Sequence, residues 1–128
     1  MAEVSDSQIV CIDGDSLSRR LRAAILDRSG HSVTAVGSLA EAEPYLRRNG
    51  VRLAVIDECV ADMPALERFM SAHPELPVLL LTRVADGFRP ANHVRFFSKL
   101  DGPEAFLRTV EQCLRVQQAP REPLTRLL

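Results

Sequence analysis

The stretch that decides the fold is Leu53-Ala54-Val55-Ile56-Asp57, an apolar run that ends abruptly in a carboxylate. A short apolar run bounded by polar residues indicates a strand that is buried on both faces of a sheet. A carboxylate at the carboxyl end of such a strand lies at the rim of the sheet, where ligands bind in open α/β folds. Taken alone, Asp57 could equally well be a residue that only caps the next segment. The other strand ends of the chain are needed to assign its role.

The same pattern recurs along the chain. Each of three further apolar runs is followed by or ends in a polar residue: Ile9 to Ile12 before Asp13, Pro77 to Leu81 before Thr82, and Val94 to Ser98 before Lys99. A weaker alternation from Ser32 to Val36 predicts one more strand. Helix-like segments separate these runs. Strands that alternate with helices predict a parallel sheet with helices on both of its faces.

The first predicted helix begins at Leu17, with Asp15 or Ser16 as its cap, and ends near Gly30. Helical spacing predicts an apolar, core-facing stripe of Leu17, Leu21, Ala24 and Ile25. The residues between them include four arginines that we interpret as a solvated face: Arg19, Arg20, Arg22 and Arg28.

Three more helices have start signals. Ser38 with Glu41 has the form of a capping box, although Pro44 predicts either a later start or a kink. Pro64 opens the next helix at a position that tolerates proline. Asp101 with Glu104 marks the start of the last helix. The predicted apolar faces of the last two helices are Leu66, Phe69 and Met70, and Phe106, Leu107, Val110, Cys113 and Leu114.

Composition indicates one soluble domain. The chain has 128 residues with a formal net charge of −1, so no global field favours nucleic acid or an anionic membrane. The three cysteines, Cys11, Cys59 and Cys113, are far apart, which predicts reduced thiols in a cytoplasmic protein. A polar beginning and the lack of a membrane-length apolar run agree with that setting. We predict a domain over residues 1–116 and a mobile tail or linker over 117–128.

Four strand ends therefore carry Asp13, Asp57, Thr82 and Lys99, and a parallel sheet brings such ends to one edge. Two carboxylates in one pocket repel each other unless a divalent cation or a cation such as Lys99 neutralises them. Oxygen ligands of this kind favour Mg²⁺. A metal, a lysine and a hydroxyl around a carboxylate suit phosphoryl transfer to that carboxylate.

With these residues the chain resembles the receiver domain of bacterial two-component response regulators. The resemblance covers roughly residues 8–115. It implies a flavodoxin-like three-layer α/β sandwich with a five-stranded parallel sheet in the order 2-1-3-4-5. It also implies a role for each site residue. By this resemblance Asp57 is the phosphoacceptor, and it binds Mg²⁺ together with Asp13 and the Cys59 backbone carbonyl. Lys99 and Thr82 are the phosphate-binding and switch residues, and Phe96 is the aromatic switch position.

The sequence also departs from that family's pattern. Gly14 stands where a second acid normally binds the metal, which predicts weak Mg²⁺ binding. Arg83 replaces a small residue after the threonine, and Pro64-Ala65 replaces the usual Asp-Gly. Leu100 replaces a proline, and because a cis bond without proline costs about 3 kcal/mol, we expect a trans peptide there. The segment before Lys99 is short, which predicts a truncated or missing fourth helix.

The resemblance implies a signalling switch and not a turnover enzyme. Its expected partners are a sensor histidine kinase or phosphotransfer protein and a downstream protein or output domain, with no direct nucleic-acid or membrane contact, in a monomer or weak homodimer. One alternative is a receiver fold that binds a partner through its Phe88/Phe96 side without phosphorylation. A minor alternative is a phosphatase of the haloacid-dehalogenase type with Asp13 as nucleophile, because the run from Ile12 to Leu17 resembles that family's first motif.

Overall fold

The computed structural model of the chain describes residues 8–48, 50–83 and 93–118. Its strands and helices alternate from the first strand to the fourth, as the sequence predicts. In chain order they are β1 (Gln8–Ile12), α1 (Ser16–Arg28), β2 (Ser32–Val36), α2 (Leu39–Leu46), β3 (Val51–Asp57), α3 (Met63–Ala72), β4 (Val78–Thr82), β5 (Val94–Ser98) and α4 (Gly102–Gln118). Short 3₁₀ turns follow β3 at Glu58–Val60 and β5 at Lys99–Asp101.

All five strands are parallel and lie in the order β2-β1-β3-β4-β5. This confirms the predicted flavodoxin-like topology. The predicted truncation of a helix before β5 falls on residues 84–92, which lie outside the described residues, as does Phe88. Helix α4 extends to Gln118, past the predicted boundary at 116, and residues 119–128 of the predicted tail are likewise not described.

The sheet separates two apolar cores, because successive side chains of a strand point to opposite faces. On one face α2 and α3 cover the sheet, and on the other face α1 and α4 do so. The first core contains Val10, Ile12, Ala42, Ala54, Ile56, Leu66, Phe69, Met70 and Leu80. The second contains Ile9, Cys11, Leu26, Leu53, Val55, Leu79, Leu81, Phe106, Val110 and Leu114. The predicted apolar faces of α3 and α4 are confirmed.

The predicted core-facing stripe of α1 is wrong at Leu17, Leu21 and Ala24 but right at Ile25, which packs against the second core. Leu17 is 62% exposed and Leu21 is 56% exposed, whereas Leu26 is fully buried. Two of the arginines that we interpreted as solvated, Arg19 and Arg22, are instead partly buried against the edge of the sheet. The helix is rotated about its axis relative to the prediction, because both of these side chains bind Asp13 at the carboxyl end of β1.

Two local predictions are resolved by backbone geometry. Helix α2 begins directly after Ser38, whose side chain accepts a hydrogen bond from the Glu41 N–H, and Pro44 lies inside the helix. The helix therefore starts at the capping box, and the later start is excluded. The peptide before Leu100 is trans, as predicted for a residue other than proline.

Candidate functional site

The four predicted strand-end residues lie at one edge of the sheet, because β1, β3, β4 and β5 are neighbours and run in the same direction. Asp13 follows β1, Asp57 ends β3, Thr82 ends β4 and Lys99 follows β5. The Lys99 ammonium donates hydrogen bonds to both oxygens of Asp57, at 3.0 Å from Oδ1 and 3.2 Å from Oδ2. The topology thus joins side chains that are far apart in sequence into one acidic pocket.

Asp57 is nearly inaccessible to solvent and is held as a carboxylate. Burial acts to raise its pKa, but hydrogen bonds from the Cys59 N–H and from Lys99 outweigh that effect, so its pKa lies below the ordinary value. The Cys59 N–H donates to Oδ1 at 2.9 Å. Asp57 is therefore ionised at neutral pH.

Asp13 is fully buried, and its two oxygens have different donors. Oδ1 accepts a hydrogen bond from the Asp15 N–H at 2.9 Å and a weak one from the Cys59 thiol at 3.6 Å. Oδ2 accepts from a guanidinium nitrogen of Arg22 in a short ion pair. Asp13 thus lies beside Asp57 at the floor of the pocket, where the sequence predicted a second carboxylate.

Arg22 is the site residue that the sequence prediction missed. Its Nη1 contacts Asp13 and its Nη2 lies 3.1 Å from Oδ2 of Asp57, so one guanidinium bridges the two carboxylates. Only 17% of its side chain is exposed. The helical spacing carries the signal, since Arg19 and Arg22 share a face with Ile25 and Leu26, whereas the prediction gives the core-facing side to the leucines at 17 and 21.

Arg19 anchors the same helix to the pocket. Its Nη1 donates to the backbone carbonyl of Asp13 at 2.9 Å. A Cβ atom at Gly37 would lie only 3.0 Å from that nitrogen, so the absence of a side chain at Gly37 makes room for the arginine. Two arginines of α1 are therefore directed at one aspartate.

The residues after Asp13 do not add a carboxylate to the pocket. Gly14 has no side chain, and the Asp15 carboxylate caps α1 by accepting a hydrogen bond from the Ser18 N–H at 2.8 Å. That hydrogen bond lowers the pKa of Asp15. The Asp15 carboxylate serves as a helix cap and does not replace the acid that Gly14 lacks.

Thr82 and Phe96 lie on the neighbouring strands. The Thr82 hydroxyl is buried, and its Oγ1 has no hydrogen-bond partner among the described residues. A hydroxyl can donate one hydrogen bond, so Thr82 can serve as a donor at this edge of the sheet. Phe96 is partly buried and packs against the first core. Arg83 is exposed, and its backbone N–H donates to the Glu58 carboxylate at 2.9 Å.

The pocket has the elements of a metal site but does not fit a divalent ion in this arrangement. Asp13, Asp57 and the Cys59 Sγ offer ligand atoms within 4.8 Å of one another. However, each of the four carboxylate oxygens already accepts a hydrogen bond or ion pair from the protein. A thiol is a soft ligand that Mg²⁺ does not favour. A hard cation would have to displace Arg22 before it could reach both carboxylates.

No protein-family model matches the sequence, and no curated protein matches it. Solved structures do match. A response regulator receiver domain protein from Methanospirillum hungatei is 20% identical, with a TM-score of 0.74 over 89% of this chain and 98% of that one. The chain has the fold of a response-regulator receiver domain. The receiver domain of an HD domain-containing protein from Pseudomonas fluorescens is 18% identical, with a TM-score of 0.72 over 92% of this chain and 94% of that one.

A third match shows the receiver fold in a different context. It is a response regulator receiver modulated diguanylate cyclase from Pelobacter carbinolicus, 22% identical with a TM-score of 0.67 over 88% of this chain and 95% of that one. At these identities the matches establish the receiver fold, and the function has to be argued from the pocket. Among the described residues, no helix is both long enough and apolar enough to span a membrane.

Proposed function

We propose that the protein is a signal-transduction receiver in which Asp57 accepts a phosphoryl group and thereby changes partner binding. The observation that carries this proposal is the Lys99 ammonium on both oxygens of a buried, ionised Asp57. The neighbouring Thr82 hydroxyl supports it, because a phosphoryl oxygen on Asp57 would supply the acceptor that this hydroxyl needs.

The chemistry follows from those contacts. An oxygen of Asp57 forms a bond to phosphorus while the bond from phosphorus to the donor breaks, and its electron pair returns to the donor. For a kinase histidine the donor atom is an imidazole nitrogen. The positive charges of Lys99 and Arg22 lie where negative charge gathers in this step. The product is an acyl phosphate on the protein, so the chain acts as a switch and not as a turnover catalyst.

The resemblance supplies the proposed partners. The phosphoryl donor is a sensor histidine kinase or a phosphotransfer protein, and the readout is a downstream protein or output domain that responds to the Thr82 and Phe96 side of the sheet. The predicted Mg²⁺ site of Asp13, Asp57 and the Cys59 carbonyl stays a prediction, and it requires that Arg22 leave the carboxylates. The cytoplasmic setting, the domain boundary at residue 116 and the monomer or weak homodimer stay predictions as well.

One observation favours a second function, a receiver fold that binds its partner without phosphorylation. Arg22 closes the space between the two carboxylates, and Gly14 provides no further acid. A pocket that is already neutralised and hydrogen-bonded can serve as a structural element of a constitutive binding module. The phosphatase alternative has less support, because the lysine contacts Asp57 and the guanidinium occupies Asp13, its proposed nucleophile.

The decisive experiment is incubation with acetyl phosphate, with and without Mg²⁺, followed by intact-mass measurement. We expect wild type to gain the mass of one phosphoryl group and Asp57→Asn to gain none. Asp62→Asn is the matched control, since Asp62 is an exposed helix cap whose carboxylate accepts from the Ala65 N–H, and the change should leave phosphorylation intact.

The other outcomes are equally informative. If wild type gains no phosphoryl group under either condition, the phosphoacceptor proposal fails and the phosphorylation-independent module is favoured. If Asp57→Asn is still modified, Asp57 is the wrong acceptor. Hydrolysis of a phosphomonoester that requires Asp13 but not Asp57 would favour the phosphatase alternative.

A further inference from the structure

We propose that Arg22 is the resident counter-cation of the acidic pocket, and that it fills with protein charge the role that a divalent metal would otherwise have there. The observation behind this inference is the guanidinium that bridges Asp13 and Asp57, two carboxylates whose side chains are 1% and 3% exposed. The inference does not depend on phosphorylation of Asp57, because it concerns the charge of the resting pocket.

The charges of the pocket balance without an added ion. Asp13 and Asp57 contribute two negative charges, and Arg22 and Lys99 contribute two positive charges. Buried carboxylates that share a site repel each other unless an opposite charge lies close to both. Arg22 is the cation that meets this condition, because its two terminal nitrogens reach one carboxylate each. In the described hydrogen bonds, Lys99 contacts Asp57 but not Asp13.

The geometry of a guanidinium suits this role. It is planar, remains charged at all relevant pH values and presents its donors in a fixed fork, so it can hold two acceptors at a set spacing. A divalent ion entering the pocket would compete with this fork for an oxygen of each carboxylate. It would also add two positive charges to a group of side chains that is already neutral, so its binding should be weak.

The orientation of the helix that carries Arg22 directs this side chain into the pocket. Helix α1 leaves Leu17 and Leu21 exposed to solvent while it directs Arg19 and Arg22 inward. Leaving large apolar side chains in water is unfavourable, so the contacts of the two arginines must contribute to the observed orientation. The space left by Gly37 allows Arg19 to fix the helix on the Asp13 carbonyl, three residues before Arg22.

Metal titration tests the inference directly. We expect wild type to bind Mg²⁺ or Mn²⁺ weakly, as read by calorimetry and by Mn²⁺-induced broadening of NMR signals near Asp57. Arg22→Gln removes the positive charge and should bind either ion at least about tenfold more tightly. Arg20→Gln is the matched control, because Arg20 lies on the same helix and is exposed. Equal metal affinity in wild type and Arg22→Gln would overturn the proposal.

A stability measurement covers the case in which Arg22→Gln folds poorly. The double variant Asp13→Asn/Arg22→Gln removes one charge of each sign and restores neutrality. We expect it to regain most of the thermal stability that Arg22→Gln loses, and we expect Mg²⁺ to raise the melting temperature of Arg22→Gln but not that of wild type. If the double variant is no more stable than Arg22→Gln, the arginine acts through packing and not as a counter-cation.

Discussion

Arg22, Lys99, Asp13 and Asp57 form a neutral group of four charged side chains in which every carboxylate oxygen has a donor. Breaking a buried ion pair by removing one partner is strongly destabilising, by about 3–5 kcal/mol, because it leaves an uncompensated charge. Single-residue changes in this pocket therefore report on charge balance as well as on chemistry. Gly14 is a position beside Asp13 where a side chain can be added without a steric clash.

Gly14→Asp should bring a third carboxylate to the pocket. A Cβ at Gly14 would meet only the Gly37 carbonyl oxygen at 3.7 Å, an ordinary contact, so the side chain can be accommodated. Without metal we expect the variant to lose about 1 kcal/mol of unfolding free energy through repulsion with Asp13. Mg²⁺ should restore that loss, and urea unfolding with and without Mg²⁺ measures both effects.

Gly14→Asn is the control for this variant, because it has nearly the same shape and no charge. We expect it to show neither the loss nor the recovery with Mg²⁺. Identical Mg²⁺ responses for the Asp and Asn variants would show that residue 14 does not face the carboxylates.

At the scale of elements, helix α1 determines the character of the pocket. The ends of β1 and β3 supply the carboxylates, but the rotation of α1 about its axis decides whether leucines or arginines face them. Leu26 is the one fully buried apolar side chain of this helix, and it packs into the second core beside Ile9 and Val55. The helix is therefore held by the apolar contacts of Ile25 and Leu26 near its end, by the ion pairs of Arg22 and by the hydrogen bond from Arg19 to the Asp13 carbonyl.

The contrast between Leu26 and Leu21 tests this orientation. Leu26→Ala should lower the unfolding free energy by about 2–5 kcal/mol, since it removes a fully buried side chain and leaves a cavity. Leu21→Ala is the matched control on an exposed position and should change it by less than about 0.5 kcal/mol. Urea unfolding of both variants measures the difference. A larger loss for Leu21→Ala would mean that the helix presents the opposite face to the sheet.

At the scale of the whole molecule, one parallel sheet between two cores joins residues that are distant in sequence. Lys99 and Asp57 are 42 positions apart, yet they form an ion pair because β3, β4 and β5 lie side by side. The same arrangement places the three cysteines in different environments. Cys11 is in the second core, Cys113 is partly buried and Cys59 is exposed at the rim.

Thiol labelling at neutral pH should follow this order. Burial raises the pKa of Cys11 to about 12, so its thiol stays protonated and inaccessible while the protein is folded. We expect Cys59 to react first, more slowly than a free thiol because burial and Asp57 raise its pKa, then Cys113, and Cys11 only on global unfolding. Reaction with a disulfide reagent, read by absorbance and by mass, gives the order.

Unfolding and pH provide the controls. All three thiols should react quickly in denaturant, and Cys59→Ser should abolish the first phase.

The pKa of Cys11 in the folded state lies above its ordinary value of 9.0. The contribution of Cys11 to the free energy of unfolding is therefore complete below pH 9.0 and is lost as pH rises through about 12. Rapid labelling of Cys11 in the native state would contradict the described core.

Much of the fold could be predicted from sequence because its signals are local. Four apolar runs bounded by polar residues predict buried strands, and the capping residues before α1 and α2 set where those helices begin. Buried parallel strands leave little freedom in topology, so the side chains at their ends meet at one edge. This is why the sequence alone suffices to group Asp13, Asp57, Thr82 and Lys99.

The sequence by itself determined the parallel sheet and the pair of carboxylates at its edge, since both follow from short apolar runs and from the rules that connect them, and the strand order was implied by the resemblance to receiver domains. Only the tertiary structure decided that Arg22 joins Lys99 in neutralising those carboxylates. The rotation of α1 depends on the balance between two leucines in water and the contacts of two arginines, of which Arg22 pairs with the Asp13 and Asp57 carboxylates and Arg19 binds the Asp13 backbone carbonyl. Asp57, one of these partners, lies far from α1 in the sequence. Helical periodicity predicted that the leucines face the sheet, whereas the buried carboxylates stabilise the orientation in which the arginines face it.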